Sequence, residues 1–239
     1  GANKYVSTKL SGYGADVFTV ARMPSVIFSP EEYFKYQKRK VIRIEDYDAV
    51  RDGCSLCSEV GAALSQSTTV VANGHSSDNT QIRGYTWTMF GLQNVEVAEG
   101  RGFTQSDEDH ATHVVVVGPD IVDNLLGPSD PIGKEIRVNG NPYTIVGVGD
   151  RQGKTLGQSQ DNWVAVPITT YQQIHGYNDS LNIYARATGN AQAMTQAEDQ
   201  VRVIMRTLRH DAPGAPDDFQ LETNDTFLDI WKQVSSLFA

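Results

Sequence analysis

Short β-rich runs recur along the whole chain and predict strands. Some alternate apolar with polar residues, which places alternate side chains on one face of a strand, and others are continuously apolar, as in a fully buried strand. Turn-forming residues punctuate the chain between them. The runs are 16–23, 60–73, 80–85, 114–117, 163–167, 181–186 and 219–222.

Two Asn-Gly pairs predict tight turns between strands. Asn73-Gly74 follows the second run, and Asn139-Gly140 separates two β-rich segments before Asp150. Both central residues of a type I′ turn need a positive φ, which Asn and Gly adopt more readily than other residues. We therefore expect a hairpin at each pair.

Apolar residues at three- and four-residue steps predict helices. The clearest run is 191–210, where Met194, Val201 and Met205 belong to one apolar stripe and Asn190 can cap the start. Ser29-Pro30-Glu31-Glu32 has the form of a capping box before an aromatic and basic helix that ends at 38–40. Further helices are predicted over 4–10, 44–52 (with Gly53 as C-cap), 121–126, 168–174 and 225–238.

The order of these elements predicts an α+β fold. Strand–helix–strand patterns occur at both ends of the chain, and the middle is rich in strands. The two ends could therefore pair in one sheet, with the middle inserted between them.

Charge and hydropathy exclude several classes of protein. The chain has 20 basic and 29 acidic residues, a net charge of −9, and no basic block longer than Lys38-Arg39-Lys40. A nucleic-acid partner is not expected, because nucleic-acid binders usually present a basic surface. No window approaches the roughly 18 apolar residues of a membrane span, and the first residues lack the layout of a signal peptide. Read alone, the sequence predicts a soluble globular protein.

Cys54 and Cys57 form the only Cys-x-x-C pair. Without a second such pair or a His-x₃-His partner, a zinc site is not expected. A thioredoxin-type site would begin a helix after a strand, whereas this pair follows the C-terminus of a predicted helix. The remaining alternatives are a local disulfide, free thiols and, last, a redox site. Cys54 and Cys57 are thus the candidate disulfide.

Three patterns imitate cofactor or metal sites. Gly127–Lys134 resembles a phosphate loop, but it has one spacer residue too many and Glu135 where Ser or Thr would bind magnesium. Gly147 and Gly149 suggest a dinucleotide turn, yet no amphipathic helix follows, so close backbone packing or turns are expected. The acidic residues 107–109 with His110 and His113 lack EF-hand spacing and predict a solvated loop. We predict no catalytic, cofactor-binding or metal-binding residue.

Four segments, taken in order, resemble the MacB-like periplasmic core domain found in ABC-transporter permeases of the MacB/FtsX/LolE superfamily. They are GRGFTQSD at 100–107, VVVG at 115–118, LGPSDPIGK at 126–134 and YTIVGV at 143–148. The resemblance implies a Porter-like α/β subdomain built from residues 1–76 and 178–239, carrying an inserted, mostly β Sabre-like subdomain at 77–177. The aromatic and basic helix after Ser29 has no counterpart in this pattern and is expected to be an insertion.

The resemblance also implies a function without chemistry in this chain. In the family, ATP is hydrolysed in a separate nucleotide-binding domain, and the external domain transmits the movement and docks partner proteins during export. The implied partners are the membrane-embedded remainder of the same permease, a homodimer in the full transporter, with a periplasmic adaptor and an outer-membrane duct. The implied location is the periplasmic side of an inner-membrane protein, and we expect the isolated domain to be a monomer.

Three alternatives remain open at this point. The chain could belong to a lipoprotein-releasing or FtsX-type permease of the same superfamily. It could be a free-standing periplasmic binding module. It could also be a secreted hydrolase with an unrecognised site, whose base would come from the five histidines His75, His110, His113, His175 and His210.

Overall fold

The computed structural model describes residues 15–93 and 95–238. The helix predicted over 4–10 lies outside the described residues. The strands are β1 (Val17–Ala21), β2 (Glu59–Ala72), β3 (His75–Tyr85), β4 (Val97–Gly100), β5 (Val114–Val117), β6 (Glu135–Val138), β7 (Asn141–Gly149), β8 (Lys154–Thr155), β9 (Gln158–Ser159), β10 (Trp163–Pro167), β11 (Asn182–Arg186) and β12 (Gln220–Glu222). The helices are α1 (Pro30–Gln37), α2 (Ile44–Gly53), α3 (Met89–Leu92), α4 (Gln105–Asp109), α5 (Pro119–Ile121), α6 (Ile168–His175), α7 (Ala191–Leu208) and α8 (Asn224–Ser236).

The chain divides into two compact units. The first, called the terminal unit, consists of the described residues of Gly1–Ala62, Leu92–Asn94 and Asn178–Ala239. The second, called the central unit, consists of Ala63–Gly91 and the described residues of Val95–Tyr177. Strand β2 begins in the terminal unit and ends in the central unit.

Strands from both ends of the chain form the sheet of the terminal unit. β1 pairs antiparallel with β11 and with β12, and its Val17, Phe18 and Val20 are buried. Helix α7 buries Ala197, Val201 and Met205, which belong to the stripe that its periodicity predicts, whereas Met194 of that stripe is half-buried. The α+β prediction, with the two ends in one sheet, is therefore confirmed.

The central unit is a mixed sheet. β3 pairs antiparallel with β2 and parallel with β10; β5 lies antiparallel to β10 and parallel to β7. β4 and β6 complete it by pairing antiparallel with β7. All four valines of β5 are buried, as expected for a strand covered on both faces.

Both Asn-Gly hairpins are confirmed. Asn73 and Gly74 have φ angles of 52° and 76°, and Asn139 and Gly140 have 48° and 81°. These positive angles suit the right-handed twist of the strands that each turn joins.

Local structure differs from the predictions at several places. The helix expected over 121–126 is one turn of α-helix, α5, that continues as a π-helix over Val122–Leu126. The acidic segment 107–109, expected as a solvated loop, belongs to helix α4 instead. Thr104 caps that helix by accepting the N–H of Asp107 at 3.1 Å, which the sequence pattern Thr-x-x-Asp allows.

Helix α2 also ends one residue later than predicted. The N–H of Cys54 donates to the carbonyl of Val50 at 2.9 Å, so Gly53 is the last helical residue and Cys54 is the C-cap. In residues 15–93 and 95–238, no helix combines the length and the apolar character that crossing a membrane requires.

Candidate functional site

Three arginines follow one side of α7 toward its C-terminus. Arg202, Arg206 and Arg209 are spaced by four and three residues, which brings them onto neighbouring turns of the helix. The first two share the carboxylate of Asp217: Arg202 Nε lies 2.9 Å from Oδ2 and Arg206 Nη1 lies 2.8 Å from Oδ1. This carboxylate fixes the segment after α7 back onto the helix.

Arg209 is the buried member of the set, with 3% of its side chain exposed. Its Nε donates to Asp218 Oδ1 at 2.9 Å and its Nη1 to the carbonyl of Val41 at 3.2 Å. The guanidinium also donates to the carbonyl of Lys40 and lies 3.5 Å from Asp46 Oδ2. In return, Lys40 Nζ donates to the carbonyl of Arg209 at 3.1 Å.

The Arg209 cluster, meaning Arg209 with Lys40, Val41, Asp46 and Asp218, joins three segments of the terminal unit. Asp46 also accepts the N–H of Arg43 at 2.8 Å, so the same carboxylate caps α2 and receives Arg209. A guanidinium with five donors in a planar fork can satisfy several acceptors at once, which an ammonium cannot do.

A further carboxyl group, that of Asp211, lies beside this cluster and accepts the N–H of Asp218 at 3.4 Å. The pKa of Asp211 is raised above its ordinary value, mainly by burial. A hydrogen bond with the Asp218 carboxyl and the repulsion between the two groups raise it further.

The last residue of strand β12, Glu222, bonds to the segment that follows β1. Glu222 is buried, and its carboxylate accepts the N–H of Ser25 at 3.0 Å and also the Ser25 hydroxyl. Ser25 follows β1, so this contact adds to the pairing of the two strands. Thr223 then caps α8 by accepting the N–H of Thr226 at 3.2 Å.

The cysteine pair lies at the C-terminus of α2. The structure joins Cys54 and Cys57 in a disulfide, with Cα atoms 5.4 Å apart. Gln200 of α7 holds the loop: its Oε1 accepts the N–H of Leu56 at 3.0 Å and its Nε2 donates to Ser55 Oγ at 2.9 Å. The loop therefore connects α2 to α7.

A groove of about 410 Å³ lies between the first turns of α7 and α8. Asp16, Glu198 and Asp225 contribute carboxyl groups to its lining. Asp16 is paired with Arg186 at 3.1 Å, and burial raises the pKa of Glu198, although nearby Arg202 opposes the rise. The groove offers hydrogen bonds and negative charge, and its lining contains no histidine or cysteine.

In the central unit, the residues of the 100–107 segment support the backbone. Gly100 has a φ of 72°, and a Cβ there would overlap the carbonyl of Val146. Arg101 Nη1 lies 2.8 Å from Asp107 Oδ2, and the same carboxylate oxygen accepts the N–H of Thr104 at 2.9 Å. Burial alone would raise the pKa of Asp107, but these hydrogen bonds and the Arg101 charge hold it below its ordinary value.

The segment that imitates a phosphate loop is a turn closed by its own side chains. The N–H of Ile132 donates to Asp130 Oδ1 at 3.0 Å. Lys134 Nζ lies 3.5 Å from the carbonyl of Leu126 and also donates to Ser129 Oγ. The lysine is thus engaged within the turn instead of being presented to a phosphate.

The glycines that suggest a dinucleotide turn serve close packing, as predicted. A Cβ on Gly147 would overlap the carbonyl of Arg101, and one on Gly149 would overlap the indole of Trp163.

The acidic and histidine residues of 107–113 are not gathered around a common point. Glu108 Oε1 accepts the N–H of Trp87 at 2.9 Å, and the His113 ring stacks on Tyr143 at 5.3 Å. Among the described residues, no group of three or more His, Cys, Asp or Glu side chains could hold a metal ion.

One histidine contacts a hydroxyl that could act as a nucleophile. His110 Nδ1 lies 3.3 Å from Ser106 Oγ, but it is closer, 2.9 Å, to the backbone carbonyl of the same serine. Both side chains are exposed on α4, which places this contact at a helix C-terminus and not in a cleft. The hydrolase alternative gains no support from it.

Sequence reasoning missed the Arg209 cluster. Arg209 lies at the end of the helix predicted over 191–210, and the periodicity of that helix does not indicate that its side chain is buried against two carboxylates. The 4–3 spacing of the arginines, followed by the pair Asp217-Asp218, is the signal that could have revealed it.

A comparison with protein families decides the identity of this fold. The family model described as the MacB-like periplasmic core domain matches residues 1–204. The chain belongs to this family.

Two solved structures have the same fold as this MacB-like domain. The periplasmic region of MacB from Actinobacillus actinomycetemcomitans gives a TM-score of 0.73 at 18% identity, covering 93% of this chain and 95% of that one. The extracellular domain of the noncanonic ABC-type transporter YknZ from Gram-positive bacteria gives 0.66 at 18% identity, covering 87% of this chain and 100% of that one.

Curated relatives are named as ATP-binding/permease proteins. The pyoverdine export protein PvdT of Pseudomonas syringae pv. syringae (strain B728a) is 30% identical over 157 residues, 64% of this chain. The macrolide export protein MacB of Azoarcus sp. (strain BH72) is 30% identical over 172 residues, 71% of this chain. The matched regions span only 23% and 25% of those proteins.

Proposed function

We propose that this MacB-like domain is the extracytoplasmic, periplasmic part of an ABC-transporter permease that transmits ATP-driven movement and docks partner proteins during export. ATP would be hydrolysed in a separate nucleotide-binding domain, so this chain would act without catalysis. The relatives named as export permeases support assignment to this class of transporter. They do not identify the substrate of this protein.

The observation that carries the proposal is the pairing of β1 with both β11 and β12. Strands from the two ends of the chain lie in one sheet, and α8 follows directly from β12. The Arg209 cluster and the Glu222–Ser25 contacts add further links inside the terminal unit. A displacement entering at either end would therefore move this unit as one rigid body.

The proposal includes location and partners. A Cys54–Cys57 disulfide suits an oxidising compartment such as the periplasm. The membrane-embedded remainder of the permease would be the first partner, as a homodimer, with a periplasmic adaptor and an outer-membrane duct beyond it. We assign residues 1–76 and 178–239 to a Porter-like subdomain and residues 77–177 to a Sabre-like one.

Distance measurements on the full-length permease test this function. One pair of spin labels would sit within the terminal unit, at the exposed positions Lys38 and Val203, and another would link Val203 of the two protomers. With ATP bound instead of ADP, the distance between protomers should change and the distance within the unit should not. A distance between protomers that is the same in both nucleotide states contradicts the proposal.

A pair of variants tests whether the Arg209 cluster contributes to transmission. Arg209→Met should uncouple ATP hydrolysis from export and make the distance within the unit vary between nucleotide states. Arg151→Met removes an exposed arginine of the central unit, paired with Asp123 at 2.9 Å, and should leave both readouts unchanged.

A further inference from the structure

The disulfide loop is held by a single side chain of α7. In addition to its contacts with Ser55 and Leu56, Gln200 donates from Nε2 to the carbonyl of Gly53 at 3.4 Å, and its Oε1 lies 3.4 Å from Cys54 Sγ. A side-chain amide combines two N–H donors with one acceptor oxygen, so it can serve these neighbours together. One residue of α7 therefore contacts four consecutive residues of the loop.

The contact between Gln200 Oε1 and Cys54 Sγ suits a reduced form of the pair. A disulfide sulfur carries no hydrogen, so the bridged Cys54 cannot donate to this oxygen. As a thiol, Cys54 would have an S–H donor, and Gln200 Oε1 lies 3.4 Å away to accept it. Because Cys54 is only 6% exposed, water offers this thiol little else. The structure therefore holds an acceptor that only the reduced cysteine can use.

The two cysteines differ in their access to solvent. Cys54 is buried, whereas Cys57 is half-buried. Ser55 and Leu56, which separate them, are exposed, and 49% of Leu56 is accessible. A thiol reagent can therefore reach the bridge from the side of Cys57.

The bridge bears on one of two links between α2 and α7. Near the start of α2, Asp46 lies 3.5 Å from Arg209; at the end of α2, Gly53 contacts Gln200, about two and a half turns earlier in α7. The bridge restricts the loop that presents Ser55 and Leu56 to Gln200, so the second link needs less ordering when the cysteines are joined. The first link contains no cysteine and does not depend on the bridge.

We propose that Cys54–Cys57 is an exchangeable disulfide that thiols attack at Cys57, and that its oxidation state controls how firmly the end of α2 is held to Gln200. The reactant that this site would take is a dithiol. Because the pair follows a helix C-terminus, we assign it no catalysis on the disulfides of other proteins. The inference goes beyond the proposed function and does not rest on it.

The exchange consists of two displacements at sulfur. A thiolate of the dithiol attacks Cys57 Sγ, the bond to Cys54 Sγ breaks, and Cys54 Sγ takes the electron pair and then a proton. The second thiolate of the dithiol displaces Cys57 Sγ from the mixed disulfide, and Cys57 Sγ is protonated in turn. The dithiol leaves as a disulfide, oxidised by two electrons, and both cysteines are thiols.

Alkylation rates test the point of attack. Cys54→Ala leaves the Cys57 thiol alone, and Cys57→Ala leaves that of Cys54. In the folded 239-residue chain, iodoacetamide should modify Cys57 at least tenfold faster than Cys54, when each rate is divided by the rate in urea. A smaller difference would overturn attack at Cys57. Dithiothreitol should also reduce the bridge of the unaltered chain without denaturant, and a bridge that opens only in urea would contradict exchange in the folded protein.

Hydrogen exchange of the Leu56 amide tests the effect on the loop, because this N–H donates to Gln200. Measured by NMR, reduction of the unaltered chain should speed its exchange at least tenfold. The control is the amide of Arg209, which donates to the carbonyl of Met205 at 2.9 Å and should change less than twofold. Equal rates for Leu56 in both forms would refute control by the bridge. Equal acceleration of both amides would show general loosening and would refute it as well.

Matched glutamine variants test whether Gln200 acts together with the bridge. Gln200→Met should lower the urea midpoint at least twice as much in the oxidised protein as in Cys54→Ala/Cys57→Ala. Gln196, exposed one turn earlier on α7, provides the control, and Gln196→Met should leave the midpoint unchanged in both backgrounds. An equal loss on Gln200→Met in the two backgrounds would make Gln200 independent of the bridge and overturn the proposal.

Discussion

The terminal and central units are held together by different kinds of interaction. Long-range ion pairs fasten the terminal unit, with a buried guanidinium, Arg209, at the centre of one cluster. Close backbone packing characterises the central unit, where Gly118 and Gly149 leave room for the indole of Trp163. The first kind of contact joins segments distant in sequence, and the second determines how closely neighbouring strands and turns approach.

This difference suggests that the contacts of the two units have different roles. The central unit contains the four segments that carry the family resemblance. The side chains of those segments support turns, caps and strand packing. The terminal unit contains the connections that would carry a displacement into the domain. Variants that act on one kind of contact should therefore have separable effects.

Removal of the buried guanidinium should cause the largest loss. Arg209→Met leaves the carboxylates of Asp46 and Asp218 without their partner, and breaking a buried ion pair in this way costs about 3–5 kcal/mol. Urea denaturation should show this loss in the free energy of unfolding. The exposed control Arg151→Met should match the unaltered protein within error. Similar stability for both variants would refute the importance of the Arg209 cluster.

Adding one methyl group to the central unit should have the next largest effect. A Cβ on Gly118 would overlap the backbone carbonyl of Asp161 and approach Trp163 Nε1, at 2.9 Å. We expect Gly118→Ala to lower the free energy of unfolding by about 2 kcal/mol, as overpacking of a rigid site does.

The matched glycine in the terminal unit should tolerate the same change. A Cβ on Gly53 would lie 3.2 Å from Cδ1 of Ile204, the flexible end of a side chain. Alanine is favoured over glycine in a helix by up to about 1 kcal/mol, so Gly53→Ala should be neutral or stabilising. If Gly53→Ala proved as harmful as Gly118→Ala, the contrast between the two units would not hold.

The sequence predicted what depends on neighbouring residues. The Asn-Gly hairpins, the Asn190 cap and the stripe of α7 each follow from a few adjacent positions, and all three are present in the structure. The Arg209 cluster requires residues 163 positions apart, Asp46 and Arg209, to meet, and no local pattern specifies that meeting. The need for glycine at Gly118 likewise depends on Trp163, which becomes its neighbour only through strand pairing. The grouping of side chains at the candidate site was therefore much less predictable than the secondary structure.

Removal of the disulfide in the terminal unit should lower the free energy of unfolding by less than removal of the Arg209 guanidinium. Closing a four-residue loop stabilises a protein by about 2 kcal/mol in the chain-entropy model, so Cys54→Ala/Cys57→Ala should lose about that amount. Mass spectrometry after alkylation should detect two adducts only when the protein is reduced first. Two adducts without reduction would show free thiols and rule out the disulfide.

The smallest effect should come from a charge in the central unit, and it should depend on pH. Asp107→Asn weakens the bonds to Thr104 and Arg101, and loss of the Asp107 half of this capping box costs about 1 kcal/mol at pH 7. Because the pKa of Asp107 is lowered in the folded protein, its carboxylate stabilises the fold above the ordinary value of 3.8, and this contribution disappears as the pH falls through the folded pKa.

Urea denaturation at a series of pH values should therefore show Asp107→Asn converging with the unaltered protein only below pH 3.8. The neighbouring exposed residue provides the control: Asp109→Asn should follow the unaltered protein throughout. A pH-independent deficit in Asp107→Asn would mean that the shape of the side chain, and not its charge, supports α4. One charge contribution would then be removed from the central unit, and its contrast with the ion-paired terminal unit would become sharper.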